Sequence, residues 1–165
     1  ARMHGVPEPI ENERKFVVED FCLDRLPTHC VPMDIVQTYL IGIEAGVERV
    51  RKRGQNGHQL YFHTVKIPHE GGGSVEVERF IDKQTYDELL LRKDSTRNPI
   101  VKTRYCFRHA DHYCELDVFG GRVGLVMLEV EVHDMSDHVE LPHYLGTFTE
   151  VTGNQFFSNH ELSRQ

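Results

Sequence analysis

The sequence predicts a mainly β, α+β protein: about eight antiparallel strands able to close into a barrel, with a few helices outside it. Three observations carry that expectation. Charged residues recur at every second position, as in Glu11-Asn12-Glu13-Arg14-Lys15, and lead into apolar runs such as Phe16-Val17-Val18. On a strand such residues share one face, roughly 6.5–7 Å apart, whereas on a helix residues two apart point to different sides. Glycine-containing turn signals separate the runs, and one stretch alone carries a clear helical signature.

Taken in order, the first strand runs from Glu11 into Val18, after a polar leader over residues 1–9 that contains Pro7 and Pro9. Residues 19–33 read as a short helix-and-loop segment broken by Pro27 and Pro32. Ile35 to Ile43 is rich in β-branched and aromatic residues, as strands are. Val47 to Arg53 alternates Arg51 and Arg53 with Val50 and Lys52, and Gly54-Gln55-Asn56-Gly57 turns the chain into a strand from Leu60 to Ile67. After the loop at Gly71-Gly72-Gly73, Ser74 to Ile81 sets Glu76 and Glu78 against Val75 and Val77. The helix is expected at Thr85 to Lys93, where Thr85 and Glu88 form a capping-box pattern and Tyr86, Leu89 and Leu90 an apolar face. A hairpin from Ile100 to Phe119 turns at His109-Ala110-Asp111-His112. A strand from Leu125 to Val132 follows, then a brief one near Glu150-Val151-Thr152 and a short helix from about Gln155 to Leu162.

Composition sets outer bounds. The 165 residues suit one domain over 1–165 with a sizeable core. No apolar run approaches the ~20 residues of a membrane span, and no signal peptide is evident, so a cytoplasmic protein is expected without membrane insertion. A formal net charge of −7 argues against binding a nucleic acid duplex through phosphate neutralisation. It leaves room for a small anion held by locally gathered bases. The four cysteines, Cys22, Cys30, Cys106 and Cys114, are expected as reduced thiols. The chain opens at Ala1, which suggests one domain of a longer protein.

The alternating positions are filled by Glu, Asp, Lys and Arg, with almost no Ser, Thr, Gln or Asn. Any one such strand fits a solvated sheet face; the whole set fits it poorly. Directed into a barrel, both signs would crowd a confined space, where a pair 4 Å apart interacts by about 4 kcal/mol at an effective dielectric of 20. Bases there call for phosphate oxygens, and paired carboxylates for Mg²⁺ or Mn²⁺. Together they specify a metal-complexed polyphosphate.

At this level the residues resemble the CYTH domains, the triphosphate tunnel metalloenzymes. The likeness begins at the E-x-E-x-K of Glu11, Glu13 and Lys15 and continues through Gln37-Thr38-Tyr39-Leu40, Arg51 with Arg53, Thr64-Val65-Lys66, and Glu76 with Glu78. It runs on through Lys102-Thr103-Arg104-Tyr105, Glu115-Leu116-Asp117, Leu128-Glu129-Val130-Glu131 and Glu150-Val151-Thr152 to Ser158-Asn159 with Leu162. The resemblance implies a closed tunnel of eight antiparallel strands and an enzyme that cleaves a triphosphate with Mg²⁺ or Mn²⁺. It implies Glu11, Glu13, Asp117, Glu129 and Glu131 as metal carboxylates, and Lys15, Arg51, Arg53, Lys66, Lys102 and Arg104 as the phosphate clamp. Glu76, Glu78, Lys66 and Arg104 are then the groups expected at the reacting phosphate. A metal bridging phosphate oxygens and activating water would carry the hydrolysis.

The pattern departs from the family in places. Ser74 stands where many relatives have a base, Cys114 and Tyr144 replace tryptophans, and Arg164 is the sole late basic candidate. Missing tryptophans weaken a case for thiamine stacking. Zinc on Cys106, Cys114, His109 and His112 is disfavoured, since strand parity sends the two thiols to different sides. Two further readings stay open on the same scaffold: a class IV type adenylate cyclase, and a non-catalytic nucleotide- or polyphosphate-binding domain regulating a fused or partner P-loop domain.

Overall fold

The computed structural model describes residues 4–7, 12–42, 46–71, 74–121 and 124–165. Antiparallel strands dominate them, divided between two compact units that each draw on both ends of the sequence. One unit comprises Ala1–Glu11, Ile35–Ile100 and Asn159–Gln165; the other comprises Asn12–Asp34 and Val101–Ser158.

The first unit carries β1 (His4–Pro7), β3 from Ile35 (strand Met33–Tyr39), β4 (Val47–Gln55), β5 (His58–Pro68) and β6 (Ser74–Ile81), in the sheet order β1-β6-β5-β4-β3. Its β4–β5 hairpin turns at Asn56 and Gly57, both at positive φ. That is the Asn-Gly chemistry a tight two-residue hairpin requires. The expected four-residue turn is thus half that length, with Gly54 and Gln55 in β4. The leader departs further from expectation: residues 4–7 form a strand on β6, which has an open edge to pair. The helix also shifts. α1 spans Lys83–Leu89 and is capped by Asp82, whose carboxylate accepts from Thr85 N at 2.7 Å, so Thr85 is the third helical residue rather than the cap. A 3₁₀ turn, Leu90–Arg92, extends it. One sheet face packs on this helix through Val50, Tyr61 and Ile81 against Tyr86, Leu89 and Leu90. The expected C-terminal helix is shorter in the structure. A 3₁₀ turn at Gln155–Phe157 precedes α2, Asn159–Leu162, which Arg97 anchors by donating to Ser163 Oγ at 3.1 Å and to His160 O.

The second unit carries β2 (Glu13–Glu19), β7 (Ile100–His109, in this unit from Val101), β8 (His112–Phe119), β9 (Val126–Glu131) and β10 (Thr147–Glu150), in the order β7-β8-β9-β2-β10. The β7–β8 turn at Ala110 and Asp111 falls where the sequence placed it. Period-two alternation sends Phe16, Val18, Phe107, Cys114, Leu116, Leu128 and Val130 to one face, where they form the core with Leu145. Within the 19–33 segment expected as helix and loop, residues 20–32 hold a single 3₁₀ turn, Leu23–Arg25, since Pro27 and Pro32 leave no room for a longer helix. Gly146 lets β10 approach β2: a Cβ there would lie 2.4 Å from Glu19 O. Among the described residues neither run of five strands closes on itself.

Candidate functional site

Each unit packs an apolar core on one sheet face, and the other face carries rows of charged residues. In the first unit the register stacks them in rows: Val47, Lys66 and Glu76; then Arg49, Thr64 and Glu78; then Arg51, Phe62 and Phe80; then Arg53 and Leu60. Directly paired residues share a face, so Arg51, Arg53, Lys66, Glu76 and Glu78 lie on one face, spread over four rows. Arg49 Nη2 lies 2.8 Å from Glu76 Oε1, and Arg51 Nη2 lies 3.0 Å from Glu78 Oε1. Thr64 Oγ1 donates to the same Glu78 oxygen at 2.9 Å. Arg53 rests on the Phe62 ring, 4.7 Å from its centroid, and Lys66 is exposed.

The second unit repeats the design. Glu13 faces Glu131; Lys15, Glu129, Glu115 and Cys106 form the next row; Asp117 and Arg104 pair in the row after it. Asp117 is the hub. Lys102 Nζ lies 2.8 Å from its Oδ2, while Arg104 donates from Nε and Nη2 at 2.7 and 2.9 Å. Arg104 Nη1 also reaches Glu115 at 3.3 Å, and Lys15 Nζ lies 3.6 Å from Glu129. Glu131 is exposed, and Glu11 lies outside the described residues.

Parts of these faces are withdrawn from water. Lys102 is 2 % exposed, Asp117 3 % and Glu78 4 %. Burial pushes the Lys102 ammonium down from its usual value, with the neighbouring Arg104 charge adding to it. Burial also pushes Asp117 up, but the charges and hydrogen bonds of Lys102 and Arg104 outweigh it and hold the carboxyl well below the usual range. Glu115 moves the other way, raised by burial and by the nearby Glu129 against the pull of Arg104. Burying charge costs several kcal/mol per ion unless partners repay it, so both faces keep their cations next to acids.

Sequence reasoning overlooked several of these groups. Arg49 stands two residues before Arg51 and shares its parity, a signal that was available. Its Nε is buried with no hydrogen-bond partner among the described residues. Glu115 belongs to the charged series, but the sequence alone assigns it no role. Tyr113, which donates to Glu115 at 3.3 Å, and the buried Gln37–Tyr39 pair, 2.9 Å apart, carried no charge to mark them. Cys106 lies on the charged face and Cys114 in the core, the opposite faces that parity predicts. All four cysteines are free thiols. Arg164, the late basic candidate, lies 3.5 Å from Glu161.

The donor chemistry can be set against the expected metal. The carboxylates of Glu13, Glu129 and Glu131 are hard oxygen donors, the kind Mg²⁺ and Mn²⁺ prefer. Among the described residues no three acid, imidazole or thiol groups converge as a cage. The arrangement therefore suits the sparse mode of Mg²⁺, one or two carboxylates completed by water and phosphate oxygens. Glu13 with Glu131, or Glu129, would supply them. Asp117, expected as a ligand, spends both oxygens on Lys102 and Arg104.

No family profile and no curated protein matches the chain. Solved structures do. The inorganic triphosphatase NE1496 is 27% identical with a TM-score of 0.63, over 94% of this chain and 95% of that one. A second structure of NE1496 is 28% identical with a TM-score of 0.60, over 93% and 97%. A candidate adenylate cyclase from Bacillus halodurans, 16% identical with a TM-score of 0.53 over 78% and 83%, shares the fold alone. The class the fold defines is thus CYTH-like. Within it, the chain is similar over nearly its whole length to an inorganic triphosphatase. No described helix is long and apolar enough to cross a membrane.

Proposed function

We propose that the chain hydrolyses a triphosphate, either inorganic tripolyphosphate or a small organic or nucleoside triphosphate, with Mg²⁺ or Mn²⁺. The observation that supports this best is the pair of strand faces on which cations alternate with acids, with Arg49, Arg51, Lys102 and Arg104 held against carboxylate oxygens at 2.7–3.0 Å. A phosphate chain is the ligand whose geometry and charge answer such donors. Arg49, Arg51, Arg53 and Lys66 on one face, and Lys15, Lys102 and Arg104 on the other, would bind and orient the chain and stabilise charge on the transferred phosphoryl. Glu13, Glu129 and Glu131 would hold the metal, whose contribution is to neutralise phosphate oxygens and lower the barrier to attack by water. Closure of the strands into a tunnel belongs to the same proposal and rests on the family resemblance.

The test incubates the purified chain with tripolyphosphate, ATP and thiamine triphosphate, each with Mg²⁺ or Mn²⁺, and follows phosphate release. The control, Glu129→Gln with Glu131→Gln, keeps shape and removes metal-binding charge. Release that disappears in the control supports the enzyme reading. Cyclic AMP with pyrophosphate would identify a cyclase instead, and binding without turnover at either metal a regulatory domain.

A further inference from the structure

The charged face of the first unit changes character along its strands. Its Arg49 row is wholly polar: Arg49, Thr64 and Glu78. One two-residue step further, roughly 6.5–7 Å, the row is Arg51, Phe62 and Phe80, and beyond it lie Arg53 and Leu60. The Phe62 and Phe80 rings meet at 4.7 Å between centroids and 37° between planes. Arg51 and Arg53 both stand over Phe62, at 5.3 and 4.7 Å. Phe62 is buried by these neighbours, but Phe80 is 41% exposed and Leu60 46%. The helix-packed core of this unit does not account for them, because it lies on the opposite face with Tyr61 and Ile81.

We infer that Phe80, backed by Phe62 and flanked by Leu60 and Arg53, is a stacking platform for a flat aromatic group esterified to the triphosphate. This rests on the triphosphate reading and narrows its substrate class from the bare inorganic chain to an aromatic triphosphate ester. Phosphates seated at the Arg49 row put an attached group over the next row, that of Arg51, Phe62 and Phe80, which offers an open ring face. The adjacent guanidiniums continue the positive field, so a single ligand with an anionic and an aromatic end matches the order of the rows. A bare tripolyphosphate would use the charged rows and leave Phe80 in water.

The experiment measures binding by calorimetry and kcat/KM with Mg²⁺ for tripolyphosphate, ATP and thiamine triphosphate, in wild type, Phe80→Ala and Phe80→Tyr. Stacking of the usual strength predicts that Phe80→Ala weakens ATP or thiamine triphosphate by about 5- to 100-fold. Tripolyphosphate should stay within about twofold, and Phe80→Tyr should restore the organic ligand. The ester that responds identifies the aromatic group. Equal losses for all three ligands, or no loss for either ester, overturn the platform while leaving triphosphate hydrolysis intact. A wild type that neither binds nor cleaves any of the three overturns the triphosphate reading itself, and the platform with it.

Discussion

Replacing Asp117 with Asn isolates the hub of the second unit's charged face. The amide keeps the shape of the carboxylate but leaves Lys102 and Arg104, 2 % and 9 % exposed, as adjacent buried cations without their shared counter-charge. Breaking a buried ion pair from one side costs about 3–5 kcal/mol, a large part of the ~5–15 kcal/mol that stabilises a typical domain. For a chain of this size that loss lowers Tm by roughly 6–20 °C. Thermal melts of wild type and variant followed by circular dichroism supply the measurement. The pH dependence adds a check with a fixed sign. The Asp117 carboxyl is held below its ordinary range, so its stabilisation is complete above the unfolded value of about 3.9 and is lost as pH falls toward the folded one. The gap between the two proteins should therefore stay level from neutral pH to about 5 and narrow only under stronger acid. A loss below about 1 kcal/mol at pH 7 would mean that water reaches Lys102 and Arg104, and the buried-clamp argument would fail.

Other consequences can be measured in parallel. Arg49→Met keeps most of the side-chain volume but removes the guanidinium, so triphosphate KM should rise about tenfold or more, and Tm should fall as well because Glu76 loses the Arg49 contact at 2.8 Å; an unchanged KM would remove Arg49 from the clamp. Glu48 lies on the opposite face and is fixed by Arg92 at 2.7 and 2.9 Å and by His63 at 2.6 Å, which together lower its carboxyl from 4.5 to about 2. By linkage this contributes up to about 3 kcal/mol above pH 4.5, lost as pH falls through 2, and acid melts of Glu48→Gln should show no such dependence. At the β7–β8 turn Ala110 has φ 48°, a left-handed conformation that a Cβ disfavours, so Ala110→Gly should stabilise by about 1 kcal/mol in urea titrations.

Most of the strand architecture was legible because one physical signal, the two-residue period, sets both element type and facing. Cys106 and Cys114 show its reach: parity alone sent them to opposite faces. The misses have equally local causes. Residues 4–7 contain Pro7 and little alternation, so nothing in them announces a strand; the open edge of β6 recruits them. Thr85 and Glu88 imitate a capping box, yet Asp82 three residues earlier supplies a stronger acceptor for the Thr85 amide. Arg49 was passed over because Val47 and Glu48 obscure where the strand's alternation begins. Glu115 and Asp117 carry the same charge two residues apart, and only tertiary pairing separates them. Asp117 takes Arg104 in bidentate fashion and Lys102 on Oδ2, while Glu115 keeps one long contact to Arg104.

That difference bears on how to divide labour among the acids. A buried guanidinium needs a counter-charge whenever substrate is absent, or the empty protein bears the full cost of desolvation. Glu76 with Arg49, Glu78 with Arg51, and Asp117 with Lys102 and Arg104 meet that need at 2.7–3.0 Å. Acids committed so closely to cations are poorly placed to bind a metal or to move a proton, and they are better read as groups that hold the clamp open and oriented. Glu129 differs. Its contact with Lys15 is long, at 3.6 Å, and Lys15 is a flexible ammonium rather than a bidentate fork. In the proposed reaction it would release that partner to phosphate and turn to a metal. The proposed division follows from geometry: short pairs, bidentate at Asp117 with Arg104, maintain the site, and the long Lys15–Glu129 contact exchanges.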